Sequence, residues 1–295
     1  DFVCGATSLQ EMLKTVSRAL DRELSPEASI DPCRPPCPAY DLIKHWGAAA
    51  LLTGRGCPYH CSYCASDRLE PEFVRFSPDH VANTIETLVQ SEGVTDIAFY
   101  DDALLVDWEN HLRPILEKAV ARGLKVRFHT PNGLHARFVT PAVAKTLRRT
   151  GFRTVCLSYE SADPARQSAS SGKVTTKELS EALHALYEAD FSHDEVSVYA
   201  LMGLPGQTES EVRETLETLH ELGAGSYLAQ FSPIPGTREF ERWGHPNREI
   251  ARQEPLLHNN TAFPYLSGED CLDPEQYRRL RDLSHRLNAQ LGSDA

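Results

Sequence analysis

Three thiols, Cys57, Cys61 and Cys64, fall in the eight-residue segment CPYHCSYC over residues 57–64. A loop with this spacing can wrap an inorganic centre and present all three sulfurs inward. A structural zinc site takes four ligands, and a ferredoxin-type iron–sulfur cluster takes four thiolates. Three cysteines therefore leave one metal position open, where a substrate or cosubstrate can bind. A zinc knuckle completed by His60 is the alternative use of the same residues. Cys33 and Cys37, with three residues between them, suit either a second cluster or no metal at all, and Cys4, Cys156 and Cys271 read as small packing residues. Asp101, Asp102 and Glu160 each end an apolar run, where an ionised group is costly without a partner; the two aspartates could equally cap a turn. Asn132-Gly133 is a turn former that also offers a ligand contact, and the flanking His129 and His135 read as structural histidines.

These groups need a frame. Short, almost continuously apolar runs at 48–53, 96–100, 125–129, 154–158, 195–202 and 226–231 predict strands buried on both faces. Amphipathic stretches near 78–92, 109–122, 140–149, 175–189 and 208–222 predict the helices between them. Ser77 and Thr140 each stand before a proline as N-caps, Thr208 and Glu211 form a capping box, and Gly223 closes that last helix. Repetition of strand and helix implies a parallel sheet with right-handed crossovers. Six units are too few for a closed eight-fold barrel, so the expected α/β fold is a partial (β/α)6 TIM-like barrel working at its strands' C-terminal ends. A doubly wound sheet is the rival. The expected division is an N-terminal flank and linker over 1–46, a core barrel over 47–236 and a C-terminal extension over 237–295. In the flank, Phe2, Val3 and Cys4 read as strand-like, followed by a helix over 8–20 with a Ser8/Glu11 capping box. The extension reads as irregular until a helix over 274–291, whose stripe of Tyr277, Leu280, Leu283, Leu287 and Leu291 should pack on the barrel.

Composition narrows the function. The chain has 295 residues and a formal charge of −12, with 42 acidic against 30 basic side chains. That balance argues against a broad nucleic-acid surface, which needs basic groups facing the phosphates. No apolar run reaches the ~18 residues of a membrane span, and the N-terminus has no signal-peptide pattern. A cytoplasmic location is expected, in which eight cysteines point to metal or redox chemistry before disulfides.

Cys57, Cys61 and Cys64 at the end of a first barrel strand resemble the radical S-adenosylmethionine (SAM) enzymes, and the likeness runs over roughly residues 45–235. The resemblance implies that the three cysteines hold three irons of a [4Fe–4S] cluster, whose fourth iron is chelated by the amino and carboxylate groups of SAM. Reduction then gives methionine and a 5′-deoxyadenosyl radical that abstracts hydrogen from a substrate. It implies cofactor contacts at successive strand ends: Tyr63 beside the adenine, Asp101 and Asp102 toward the SAM amino group, Glu160 and Ser161 after the fourth strand, Gly203 and Gly206 after the fifth, and Pro233 after the sixth, to which the polar rim adds Asn132 as a candidate contact. A reducing partner of the flavodoxin or ferredoxin kind is implied, with an unknown substrate. The N-terminal flank is similar to the junction that follows a cobalamin-binding domain in cobalamin-dependent members, so cobalamin is a further implied cofactor. The D-x-H-x-x-G that ligates cobalamin there does not occur in this sequence; a chain continuing upstream into such a domain is the expectation. Readings outside this class are an iron–sulfur electron carrier and a zinc-stabilised binding module.

Overall fold

The computed structural model describes residues 9–23, 31, 33–35, 37–42 and 47–293. The strand-like reading of Phe2–Val3–Cys4 and the Ser8 half of the capping box fall outside them. The centre of the molecule is a six-stranded, wholly parallel sheet of β1 (Ala48–Leu51), β2 (Asp96–Phe99), β3 (Arg127–His135), β4 (Phe152–Glu160), β5 (Val196–Met202) and β6 (Gly225–Gln230). Each strand pairs with the next in chain order. Strand order never reverses, which excludes the doubly wound rival. β1 and β6 do not pair, so the sheet is an open partial barrel.

Helix α1 (Leu9–Leu20) precedes the sheet, and α2 (Pro78–Gln90), α3 (Leu112–Ala121), α4 (Pro141–Arg149), α5 (Thr176–Tyr187) and α6 (Glu209–Glu221) connect its strands. The C-terminal α7 (Pro274–Ser293) packs beside β6 and α6. Alternate strand residues Leu51, Ile97, Phe99, Phe128, Val155, Leu157, Val198 and Ala200 enter one hydrophobic core with helix residues such as Ile85, Leu116, Leu147, Leu183 and Leu216. Tyr277, Leu280 and Leu283 of α7 join that core, as their stripe predicts. Successive side chains on a strand point to opposite faces, so the other face looks into the barrel. It is not buried: Ala48, Ala50, Tyr100, Thr154 and Tyr227 are exposed there.

Local chemistry sets the helix ends with some departures from expectation. Thr140 Oγ1 accepts from the Val143 amide as a cap, whereas Ser77 makes no side-chain cap. Thr208 caps α6 through the Glu211 amide, but the Glu211 carboxylate turns instead to Arg166, so the box is half formed. A full capping box occurs at Thr175 and Glu178 of α5. The 237–273 stretch, expected to be irregular, contains short helices Arg238–Arg242, Asn247–Gln253 and Phe263–Leu266 around a second core of Phe231, Phe240, Trp243 and Phe263. Its residues are too short in period to announce themselves as helices. On α1, Met12, Val16 and Leu20 are exposed. Among the described residues no helix is long and apolar enough to cross a membrane.

Candidate functional site

The cysteine loop follows the end of β1 and is closed at its base by an antiparallel pairing of Gly54–Arg55 with Val74–Arg75, the two ends of the segment that carries the thiols. Two glycines permit it. A Cβ on Gly54 would lie 2.7 Å from the Val74 carbonyl oxygen, and one on Gly56, at φ 75°, would lie 2.4 Å from that of Glu72. The loop is then held on two sides. Ser62 donates its amide to the Ser170 carbonyl at 2.6 Å, at the end of the short helix Pro164–Ser170. The Ser62 carbonyl accepts from the Glu239 amide at 3.0 Å, and the His60 carbonyl from Arg238 at 2.8 Å. The C-terminal extension thus clamps the same turn that the barrel supports from below.

Cys57 and Cys64 are half-buried and Cys61 is buried. Burial raises the Cys57 and Cys61 thiols, and Lys173 beside them acts in the opposite sense. Lys173 follows Gly172, whose carbonyl is fixed by Arg137 at 2.8 Å. Burial disfavours its charge, but Cys61, Glu160 and Cys57 outweigh that and leave its ammonium above the usual range. Glu160 ends β4 at φ 75°, a left-handed conformation that costs a non-glycine residue of the order of 1 kcal/mol or more. A register slip between Ser158 and Glu160 accompanies it, turning the carboxyl toward the loop. Burial raises that carboxyl and Lys173 opposes the rise. The Tyr63 hydroxyl is buried against Glu160, and burial first, then the Glu160 and Cys61 charges, hold it well above the usual range. Beneath the loop, His135 is buried at the end of β3 and meets the Tyr59 ring edge-on, with centroids 4.6 Å apart. Burial, then Lys173 and Arg137, push His135 down to about 3, so it is neutral at ordinary pH.

The remaining expected site residues divide between the rim and the interior. Asp102 is exposed at the rim, close enough to Cys57 to raise its thiol. Asp101 is only 5% exposed and turns inward. Its carboxylate accepts the Thr53 amide at 3.0 and 3.1 Å and the Thr53 hydroxyl at 2.6 Å, with Arg75 at 3.7 Å. His111 reaches the same Thr53 oxygen through Nε2 at 2.9 Å. Asn132 donates Nδ2 to the Tyr100 carbonyl at 2.7 Å. Ser161 is buried and engaged by Glu211 and the Asp163 amide. Gly203, at φ 91°, is pressed by the Tyr277 hydroxyl, 1.6 Å from where a Cβ would stand. Gly206, at φ 71°, donates to the Asp270 carbonyl, and Pro233 is buried in the turn after β6. Cys33 and Cys37 are exposed.

The donor set favours a group larger than one ion. His60 is exposed and bonded to Asp67 at 3.1 Å rather than turned to the thiols. Among the described residues no three Cys, His, Asp or Glu side chains converge tightly enough for a single metal. Three soft thiols with a half-buried cation and a carboxyl beside them suit an iron–sulfur centre with a zwitterionic ligand at its free corner. Lys173, Thr53 and Arg75 were not singled out by the sequence: a lysine just before a helix cap looks like solvated surface.

Comparison with known proteins places the chain in a family. A family model described as the Radical SAM superfamily matches residues 51–219. The chain is 27% identical over 221 residues to an uncharacterized methyltransferase of Pyrococcus horikoshii, covering 70% of this chain and 46% of that protein. It is 26% identical over 265 residues to the tRNA-2-methylthio-N(6)-dimethylallyladenosine synthase of Thermus thermophilus, covering 83% and 52%. The chain therefore spans about half the length of these relatives. In fold it is similar to the radical S-adenosylmethionine methyltransferase TsrM of Kitasatospora setae, solved with cobalamin and a [4Fe-4S] cluster bound. The TM-score is 0.58 at 21% identity, over 70% of this chain and 37% of that one.

Proposed function

Because the chain belongs to the radical SAM superfamily, whose cofactors are a [4Fe–4S] cluster and SAM, we propose that it is the catalytic core of an enzyme that cleaves SAM reductively and directs the resulting 5′-deoxyadenosyl radical at a substrate in the open barrel. The observation that carries this reading is the grouping of Cys57, Cys61 and Cys64 with Lys173 and Glu160 at the strands' C-terminal rim. Cys57, Cys61 and Cys64 would hold three irons. Lys173 offers an ammonium to the SAM carboxylate, and Asp102 and Glu160 offer carboxylates on the side of its amino group. Tyr63, Gly206 and Pro233 border the adenine side, and Asn132 closes the turn beside Tyr100. When bound, the cluster and SAM supply the electron transfer and the leaving methionine, with the electron drawn from a flavodoxin- or ferredoxin-like donor. The chain's own part is to fix the loop between Ser170 and Glu239, keep His135 neutral beneath it and limit water around the thiols.

Cobalamin-assisted methyl transfer is the second reading, favoured by the methyltransferases among the relatives. It requires a cobalamin-binding part beyond these residues. Anaerobic reconstitution should load about four irons and four sulfides. With reductant and SAM the protein should then release 5′-deoxyadenosine and methionine. A protein with all three cysteines changed to alanine that kept the same iron and sulfide content would overturn the assignment. Methyl transfer that depends on added cobalamin, without stoichiometric 5′-deoxyadenosine, would select the second reading.

A further inference from the structure

The inner face of the sheet carries three tyrosines that the cluster loop does not use. Phe99 belongs to the outer core, so Tyr100 after β2 faces inward. Val198 and Ala200 are in that core, so Tyr199 between them on β5 also faces inward. Ser226 Oγ meets Ser284 of α7 on the outer side at 2.8 Å, which turns Tyr227 of β6 inward. Tyr199 and Tyr227 stand in register on neighbouring strands, with their rings edge to face and centroids 4.8 Å apart. The Tyr199 hydroxyl donates to the Pro131 carbonyl at 2.6 Å, reaching over β4 and fixing its ring. Burial raises that hydroxyl to about 12, and Cys156, Tyr227, Tyr100 and Glu160 add to the rise, so all four lie within its electrostatic reach. The tyrosines therefore gather next to the carboxyl that closes the cluster loop.

Two further observations define what could lie against them. The rings are open, with Tyr100 46% and Tyr227 58% exposed, and several inner positions around them are small: Ala50, Ala98, Cys156, Ser197 and Ala229. The charged groups deeper on this face are already paired. Asp96 accepts from Arg127 at 2.6 Å and bonds His129 at 2.9 Å, while the other His129 nitrogen bonds Thr154 at 2.8 Å. Room is thus bounded by aromatic faces and edges, and the Asp96 carboxylate beneath it is already engaged by Arg127 and His129.

We propose that the inner face bounded by Tyr100, Tyr199 and Tyr227 binds a flat, uncharged aromatic or heteroaromatic ring of the substrate. Ring edges and faces favour such partners in offset or perpendicular packing over aliphatic bodies of equal size. The inference rests on the reading that this chain handles SAM at the adjacent loop, and it names the class of substrate for that site.

The test uses reconstituted protein with its cluster oxidised and with saturating SAM, so that SAM's own adenine site is filled. Indole and 4-methylphenol are the aromatic probes and cyclohexylmethanol the aliphatic control, with binding read by saturation-transfer NMR and titration. The aromatic probes should bind at least ten-fold more tightly than cyclohexylmethanol. Tyr227→Leu, at the most exposed ring, should weaken them about ten-fold while thermal midpoint and iron content stay unchanged. Tyr100→Leu is the second variant if the first fails to fold. Equal binding of aromatic and aliphatic probes, or aromatic binding indifferent to both variants, overturns the proposal. Release of 5′-deoxyadenosine is measured separately: a protein that cleaves SAM but shows no aromatic preference refutes only this inference, and one that binds the rings but never cleaves SAM refutes only the functional reading.

Discussion

Asp101 is the residue on which two opposing electrostatic effects can be separated by measurement. Its carboxyl is almost fully enclosed, receives the Thr53 amide and hydroxyl, and has Arg75 at 3.7 Å. Enclosure penalises the ionised form; the donors and Arg75 reward it. Burial prevails, and the carboxyl is pushed up to about 6 from a usual 3.8. A group that holds its proton more tightly when folded stabilises the fold fully below the unfolded value and loses that contribution as pH rises through the folded one. The difference, 6 − 3.8, corresponds to about 3 kcal/mol lost between pH 4 and pH 6.5. Asp101→Asn removes the titration while keeping volume and one acceptor. Urea unfolding of the reduced apoprotein, followed by circular dichroism across that range, should show the stability advantage of the parent over Asp101→Asn shrinking by up to about 3 kcal/mol as pH rises. All other titrating groups cancel in the difference. An advantage that grows with pH would mean that Arg75 and Thr53 outweigh burial, and the reasoning would fail. Asp101→Ala goes further, leaving the buried Thr53 amide without its acceptor while Arg75 keeps the Ala103 and Val106 carbonyls, and should cost about 1–3 kcal/mol. Loss of SAM affinity in Asp101→Asn at unchanged stability would return this carboxylate to the ligand site.

Gly203→Ala should destabilise by about 2–4 kcal/mol, combining a left-handed backbone with the collision at Tyr277; denaturant midpoints should show the cost partly recovered in the pair with Tyr277→Leu. Lys173→Met should retain iron after reconstitution but bind SAM at least ten-fold more weakly by equilibrium dialysis, whereas equal loss of iron would make Lys173 a support of the loop alone. Glu160→Gly relieves the φ of 75° and should be about 1 kcal/mol more stable in thermal melts, yet weaker for SAM; a stable variant with full SAM affinity would exclude the carboxyl from binding.

What could be read from the chain alone was whatever lies close along it. The thiols are spaced within one loop, each strand is a short apolar run, and the sequential order of strand and helix already implies the sequential sheet. What could not be read depends on partners chosen by the fold. Asp101 reads as a ligand from the family resemblance and from its place in a pair of carboxylates at the strand-end rim, whereas in the fold its carboxylate accepts from Thr53, 48 residues earlier. Gly203 looked like a site for close ligand approach, and the atom that approaches it is the Tyr277 hydroxyl from the C-terminal helix. Ser77 stands at the N-cap position before Pro78 as the pattern suggests, but its hydroxyl makes no cap bond, a detail that residue order does not encode. Lys173 shows the converse error: locally it is a polar residue before a capped helix, and only the return of the chain after β4 carries it to Cys61. The inner tyrosines were hidden for a related reason. In a strand buried on one side and open on the other, an aromatic residue satisfies the same apolar pattern on either face, and only register against Ser226, Val198 and Phe99 tells which way its ring points.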